Sequence, residues 1–406
     1  MKFIILPTVF LFVIKFTNTA TATTWNNRTS KTYKTIQAAI NDAQSGDTII
    51  VTGTYTENIQ IDKPITLKAQ GTPTIQAQNP YQPTITITAN KTTITGFTIT
   101  NSTYAGIYLQ NAKNCKITNN NITNNGDDGI DLRYSSNNTI SNNKITNNGL
   151  GIDLSDSEYN KIYNNNITNN DYDGIDLRYS SNNNMISNNN ITNNNGTGIF
   201  LYTSGIFLYN SSNNTISNNT IKNNGNDGIL LDGSSNNKIY RNSFIGNGVQ
   251  AQVDSGTGNL FNLAKPTGGN YWSDYTGTDL NDDGFGDTPY TFTGGQDNLP
   301  LIPQPKITNI SPTNGTVSVP SNKTIIITFN QNILQGPGYA NITVKMANGT
   351  AKALNKTITG NKLYISSING WNPGVKFTIT IPKNAIKNSI GSMLASDFKS
   401  SFVAAS

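Results

Sequence analysis

The stretch ITNNGDDGIDLRYSSNNTISNN, residues 122–143, decides the fold. Its central segment GIDLRYSSNN, at 129–138, returns verbatim at 174–183. Outward from it the same phrase recurs in both directions. A Gly-Ile pair stands at Gly106, Gly129, Gly151, Gly174, Gly198 and Gly228, and the isoleucine of the N-x-I-T-N-N phrase at Ile122, Ile145, Ile167, Ile191, Ile221 and, as a weak match, Ile245. The spacing is 22 to 24 residues, broken where GIFLY is copied twice, at 198–202 and 205–209. A fixed period in this range signals a solenoid in which each repeat stacks on its neighbours.

Within each unit apolar and polar residues alternate, as in Ile130 and Leu132, Ile152 and Leu154, Ile175 and Leu177. Period two makes short strands with one face inward, where a helical repeat would need a 3.6-residue period. Three strands fit in a unit, at G-I-x-L, around x-I-S/Y and around x-I-T. Asn-Asn and Gly fall at the corners because both tolerate the positive φ of a sharp turn. The pattern predicts an all-β chain built on a right-handed parallel β-helix of triangular coils. From Thr48 to Leu263 it holds about nine coils, a rod roughly 45 Å long at about 4.8 Å per stacked strand.

Residues 1–22, MKFIILPTVFLFVIKFTNTATA, have the form of a secretory signal cleaved after Ala22. Lys15 interrupts their apolar run, which is shorter than the ~20 residues of a span. The expectation is an exported protein with no membrane span after cleavage, secreted or held at the cell surface. Charged residues make up 13 % of the chain, against about 25 % in typical globular proteins. The formal charge of +5 falls to +3 once Lys2 and Lys15 leave. Arg occurs at 28, 133, 178 and 241, scattered rather than clustered, which argues against nucleic acid as a partner. Sequons at Asn90, Asn121, Asn166, Asn190, Asn322 and Asn341 permit glycosylation. Cys115 stands alone and, by alternation with Ile117, points into the coil as a small buried hydrophobe.

The rod, residues 23–263, needs its ends covered, because an open solenoid exposes apolar side chains and strand edges. Ile36, Ala39, Ile40 and Ala43 fall at i, i+3, i+4 and i+7 and predict a short capping helix ended by Gly46. Residues 264–302 close the other end, with Tyr271, Trp272 and Tyr275 as the covering bulk. Within them Asp279, Asn281, Asp283 and Asp287, with Gly284, match the first part of a calcium loop. Tyr290 stands where a full loop has its bidentate Glu. A bound calcium ion and a turn satisfied by its own backbone are both open readings. Pro300–Pro305 is a stiff linker, and residues 303–406 show strand-length alternation without the repeat, as in TVSV, KTIIITFN and KFTITIP. About seven strands in this length predict a small Ig-like β-sandwich.

YKTIQAAINDAQSGDTIIVTGTYTENIQIDKPITL at the start, the Asn-rich coils, and NYWSDYTGTDLNDDGFGDTPY at the end together resemble the NosD-like parallel β-helix family over most of residues 33–302. They look most like its copies on surface proteins of methanogenic archaea, often called adhesin-like. ISPTNGTVSVPSNKTIIITFNQNI resembles the Ig-like domains of prokaryotic surface-layer proteins, which serve as spacers or docking units. Part of the NosD-like family is described as copper-binding. A chain with no His, one Cys and four Met offers no plausible copper site, so no copper is expected.

If Ile130 and Leu132 point inward, Asp131 and Arg133 point outward, as do Asp153 with Ser155 and Asp176 with Arg178. Stacking places Asp131, Asp153 and Asp176 in a column, and corners add Asp127, Asp128, Asp171 and Asp173. Like charges about 4.8 Å apart repel by about 0.9 kcal/mol even in water. Arg133 and Arg178 flank the outer carboxylates, and Asp153, beside Ser155, needs a cation, a proton or polar neighbours. As a carbohydrate groove this face would use the Asp column as calcium or sugar ligands, with Tyr134, Tyr172, Tyr179, Phe200 and Tyr202 stacking on sugar rings. It then resembles β-helix lyases, in which an Arg, here Arg133 or Arg178, would be the base. As a mere soluble face it would be copied along with the repeat, and the verbatim duplication favours that.

The expected function is therefore an adhesin-like or envelope protein that binds glycans or neighbouring surface proteins. A calcium-dependent polysaccharide lyase and a purely structural spacer are the alternatives.

Overall fold

The computed structural model describes residues 22–202, 211–281, 283–388 and 392–406. The expected signal segment, apart from Ala22, and the second GIFLY copy lie outside the described residues.

The chain winds as the repeat predicts. Each coil gives one strand to each of three parallel faces. The first face runs from Thr48–Thr52 to Lys238–Tyr240, the second from Thr54–Thr56 to Ser243–Ile245 and on to Tyr271–Trp272, and the third from Ile59–Ile61 to Val249–Val253. The third face has 9 strands, one per coil, and carries the Gly-Ile-x-Leu segments. Register keeps like on like: Ile117 lies against Ile140, Ile122 against Ile145, and Ile130 against Ile152. All are fully buried. Each such side chain contributes roughly 1.5–3 kcal/mol relative to exposure, so the narrow column does the work of a globular core.

The Asn-Asn corners do two jobs. The first residue of the pair takes the left-handed conformation, with φ 57° at Asn142, Asn147, Asn164 and Asn169. The second turns inward and is buried. Asn165 Nδ2 donates to Ile140 O at 2.9 Å and to Asn189 Oδ1 at 3.0 Å, and its Oδ1 accepts from Asn143 N at 2.9 Å. Repeated coil after coil, this builds amide ladders that satisfy the backbone where the strands break. The Gly of the Gly-Ile pair is required by contact rather than by φ. A Cβ on Gly129 would lie 2.6 Å from both Gly151 O and Ile145 Cγ2.

At the start, helix Ile36–Asp42 covers the column with Ile36, Ala39 and Ile40 buried. Thr35 caps it, and Glu57 accepts from the amides of Ile36 and Gln37 at 2.9 and 3.0 Å. Strand Thr23–Asn26, which sequence patterning did not mark, pairs antiparallel with the first coil strand. Its neighbour Arg28 holds the buried Asp47 through Nε at 2.6 Å. At the far end Trp272 stacks between Phe244 and Tyr290, at 4.5 and 4.4 Å between ring centroids, with Phe261 and Phe292 beside it. Trp272 is thus the expected cover, while Tyr271 and Tyr275 are only partly buried.

Residues from Ile307 onward form two four-stranded sheets around a separate core that includes Trp371, Phe377 and Phe402. Four strands, Leu334–Gln335, Leu354–Thr359, Ile386–Lys387 and Phe398–Ala404, join those read from the sequence.

Candidate functional site

The third face places its outward residues in register, so Tyr108, Asp131, Asp153, Asp176, Phe200 and Leu230 form one column. Beside it runs a second: Gln110, Arg133, Ser155, Arg178 and Tyr202. The structure brings together Asp131, Asp153, Asp176, Arg133 and Arg178 as expected. It corrects their setting. The three aspartates are not on an open, soluble face but are buried, with relative exposures of 0 %, 4 % and 2 %. Arg133 and Arg178 pair with them.

Each arginine has a distinct set of partners. Arg133 Nε donates to Asp131 at 3.1 and 3.3 Å. Its guanidinium also lies 5.9 and 5.7 Å from the ring centroids of Tyr104 and Tyr108. Tyr104 Oη donates to Asp131 Oδ2 at 3.2 Å. Arg178 Nε donates to Asp176 Oδ2 at 2.6 Å and stands 3.6 Å from Asp153 Oδ1. Asp153 is therefore not wholly without a cationic neighbour, but 3.6 Å is too long for a hydrogen bond. Its Oδ1, and Asp176 Oδ1, are buried with no hydrogen-bond partner.

Burial sets the electrostatics. It pushes Asp131 up to about 6 and Asp176 up to about 7, and raises Asp128 and Asp153 as well. Asp153 adds to the rise at both Asp131 and Asp176, while Arg133 and Arg178 oppose it. Burial works against the charge on Arg178, yet Asp176 and then Asp153 outweigh it and hold that guanidinium above its ordinary range. Four adjacent carboxyls thus disfavour full ionisation together.

A cleft of about 330 Å³ opens onto this group, lined by Asp127, Asp128, Arg133, Leu150, Asp153, Tyr172, Asp173 and Arg178. Tyr172, which lines it, is 64 % exposed, and Tyr134 and Tyr179, next in the chain to the lining Arg133 and Arg178, are 57 % and 40 % exposed. Tyr134 and Tyr179 follow the two arginines in left-handed conformations, with φ 53° and 45°. Tyr202 continues the strand Ile199–Tyr202 opposite Arg178, and its side chain lies outside the described residues. Sequence reasoning passed over Tyr104 and Tyr108, which clamp Arg133. The signal was present, since the repeat's own spacing puts Tyr108 one coil before Asp131.

The loop at 279–287 is arranged otherwise. Asp279 accepts from the amides of Asp283 and Gly284 at 3.0 Å each, and Asn281 accepts from Asp283 N at 3.1 Å. Asp283 accepts from Phe285 N at 3.0 Å and is paired with Lys265, and Asp287 accepts from Leu280 N at 2.7 Å. Apart from the Asp283–Lys265 pair and a 3.5 Å contact of Asp279 with Ser392 Oγ, these oxygens serve the loop's own backbone.

Family models match three stretches of the chain. Residues 84–205 match one described as right handed beta helix region, 164–277 one described as periplasmic copper-binding protein (NosD), and 302–404 one described as bacterial Ig-like domain. The residues present do not fit copper. The sequence has no His, Cys115 is buried with its thiol on Ala89 O at 3.3 Å, and no set of imidazole, thiolate and thioether donors converges among the described residues. A cell surface glycoprotein of Methanothermus fervidus is 43 % identical over 109 residues, 26 % of this chain and 18 % of that protein. A probable ABC transporter binding protein NosD of Stutzerimonas stutzeri is 40 % identical over 84 residues, 20 % of this chain and 19 % of that protein. The matches thus span about a fifth of these relatives' length. Among solved structures, the A-module of the mannuronan C-5 epimerase AlgE6 of Azotobacter vinelandii superposes with a TM-score of 0.49 at 19 % identity, over 58 % of this chain and 74 % of that one. The chain thus carries a right-handed β-helix whose later coils are similar to NosD, followed by a stretch that matches a bacterial Ig-like domain.

Proposed function

We propose that the protein works at the cell exterior and that its β-helix presents a glycan-binding cleft on the third face. The cleft itself carries this reading. Buried carboxylates and guanidinium groups of opposite sign meet at one opening, offering both acceptors and donors to sugar hydroxyls. The exposed tyrosines support it further. A left-handed conformation costs a non-glycine residue about 1–2 kcal/mol, and the bulky aromatics at Tyr134 and Tyr179 cover no core. Backbone strain under an exposed ring points to a contact made with something else. Similarity to a cell surface glycoprotein and to a periplasmic family supports the location. No helix among the described residues is long and apolar enough to cross a membrane.

The test is size-exclusion of acidic and neutral polysaccharides incubated with the protein. Co-migration without shortening of the glycan is expected, weakened about tenfold or more in a Tyr134→Ala/Tyr179→Ala double variant, since each lost stacking contact is worth about 0.5–1.5 kcal/mol. Shortened chains that Asp153→Asn no longer produces would replace this reading with a polysaccharide lyase or related enzyme. Neither effect would leave a spacer, or a rod whose partners are other surface proteins.

A further inference from the structure

We propose that Asp128, Asp131 and Asp153 form a binding site for one hard divalent cation, calcium in an exterior setting, at the floor of the third-face cleft. The carboxylates come from two adjacent coils, Asp128 and Asp131 from strand Asp128–Arg133 and Asp153 from strand Leu150–Ser155. One oxygen of each lies within 4.8 Å of the others. Calcium takes oxygen ligands at about 2.3–2.6 Å, so oxygens bound to a common ion stand up to about 5 Å apart, and these need little movement to share one.

A second observation points to a ligand. Asp153 Oδ1 is buried without a hydrogen-bond partner, on a residue that is 4 % exposed and lines the cleft. A buried carboxylate oxygen left unpaired is costly, and the nearest cation, Arg178 Nε, is 3.6 Å away and already bonded to Asp176. Charge leads the same way. Asp128, Asp131, Asp153, Asp173 and Asp176 share two arginines, Arg133 and Arg178, and Asp128 makes no ion pair among the described residues. A divalent ion removes most of that excess in one step. With only oxygen donors in reach and no His in the chain, the site selects a hard ion over copper or zinc. The cleft leaves room for the waters that complete six- to eight-fold coordination. The site needs no glycan, and it stands or falls apart from glycan binding.

The decisive experiment is calorimetric titration of calcium chloride into the whole chain after treatment with chelator, with magnesium chloride as a second arm. One calcium per chain is expected, in the roughly 10⁻⁴–10⁻³ M range of extracellular modules, with magnesium weaker. Asp153→Asn and Asp128→Asn should each weaken it by about tenfold or more, because affinity follows ligand charge. Asp279→Asn, in the loop at the rod's end, should leave it unchanged. Circular dichroism reports whether each variant keeps its β-helix, and if Asp153→Asn does not, Asp128→Asn decides. No calcium uptake, uptake indifferent to both cleft variants, or uptake abolished by Asp279→Asn would each overturn the proposal, the last by placing the ion on the loop.

Discussion

Two columns of short polar side chains run along this rod, one of asparagine and one of aspartate, and they differ by one atom per residue. In the ladder through Asn143, Asn165 and Asn189, each amide donates to the next coil and accepts from the one before. Such a stack closes on itself and has no length limit. In the column of Asp131, Asp153 and Asp176 every ionised member can only accept. Adjacent members repel, burial sharpens the repulsion, and each needs a donor from elsewhere. The ladder runs through most coils of the rod, whereas the acidic column stops after three and gives way to Phe200 and Leu230. One arrangement holds the fold together, and the other is held in place by it.

The largest effect expected is therefore in the ladder. Asn165→Leu keeps the volume but leaves Asn143 N buried and unpaired, and takes an acceptor from Asn143 Nδ2 and a donor from Ile140 O. At about 1–3 kcal/mol for each orphaned group, the loss is about 3 kcal/mol. Because coils stack as nearest neighbours, hydrogen exchange should show it first at the amides of Asn143 and Asn165. A loss under about 0.5 kcal/mol, the scale of an indifferent surface change, would mean the ladder is ornament. Gly129→Ala comes next. Its Cβ would collide with Gly151 O and Ile145 Cγ2 at 2.6 Å, and over-packing of this kind costs about 1–3 kcal/mol in denaturant unfolding.

In the acidic column the sign reverses. With chelator present, Asp153→Asn should raise stability by roughly 1 kcal/mol near pH 7.5, since it removes one repelled charge and adds a donor. Calcium should then stabilise the parent chain and not the variant. The pH profile sharpens the contrast. Asp131, ringed by Asp128, Asp153, Arg133, Tyr104 and Tyr108, titrates at about 6, and Asp176, beside Asp153, Asp173 and Arg178, at about 7, against an ordinary 3.8. Raised carboxyls bind more protons folded than unfolded, so in chelator stability should fall as pH climbs from about 4 toward 7. Asp47 does the opposite. Arg28, with Asn26, holds it below the ordinary range, so its contribution is present above 3.8 and lost as pH falls through its lowered value. A profile in chelator that rises steadily from pH 4 to pH 8 would contradict the burial of the column.

How much of this could be read beforehand follows from period and polarity. The three faces, the inward isoleucines and the alignment of Asp131, Asp153 and Asp176 all follow from a two-residue alternation inside a repeat of 22 to 24 residues. The ladders did not, because Asn-Asn at a corner reads as turn chemistry, and nothing in the letters says that the second Asn turns inward. Burial of the column was hidden for a related reason. It depends on Arg133, Arg178 and Tyr104 reaching back onto the carboxylates, and alternation reports only which face a residue is on. Strand Thr23–Asn26 carries too few residues for any period to show.

The smallest effect is the one that bears most directly on function. Tyr134 sits left-handed at φ 53° in a corner that elsewhere in the coil is filled by asparagine, as at Asn137 and Asn142. Its ring is 57 % exposed, so replacement removes little buried area. Tyr134→Asn should therefore raise stability, by about 0.5–1 kcal/mol, because asparagine enters that backbone region at lower cost. A gain in thermal midpoint joined to a loss of glycan co-migration would mark the tyrosine as kept for its contact at the expense of the fold. If stability instead fell, the ring would be packing against its own coil, and its exposure would no longer argue for a contact made with something else.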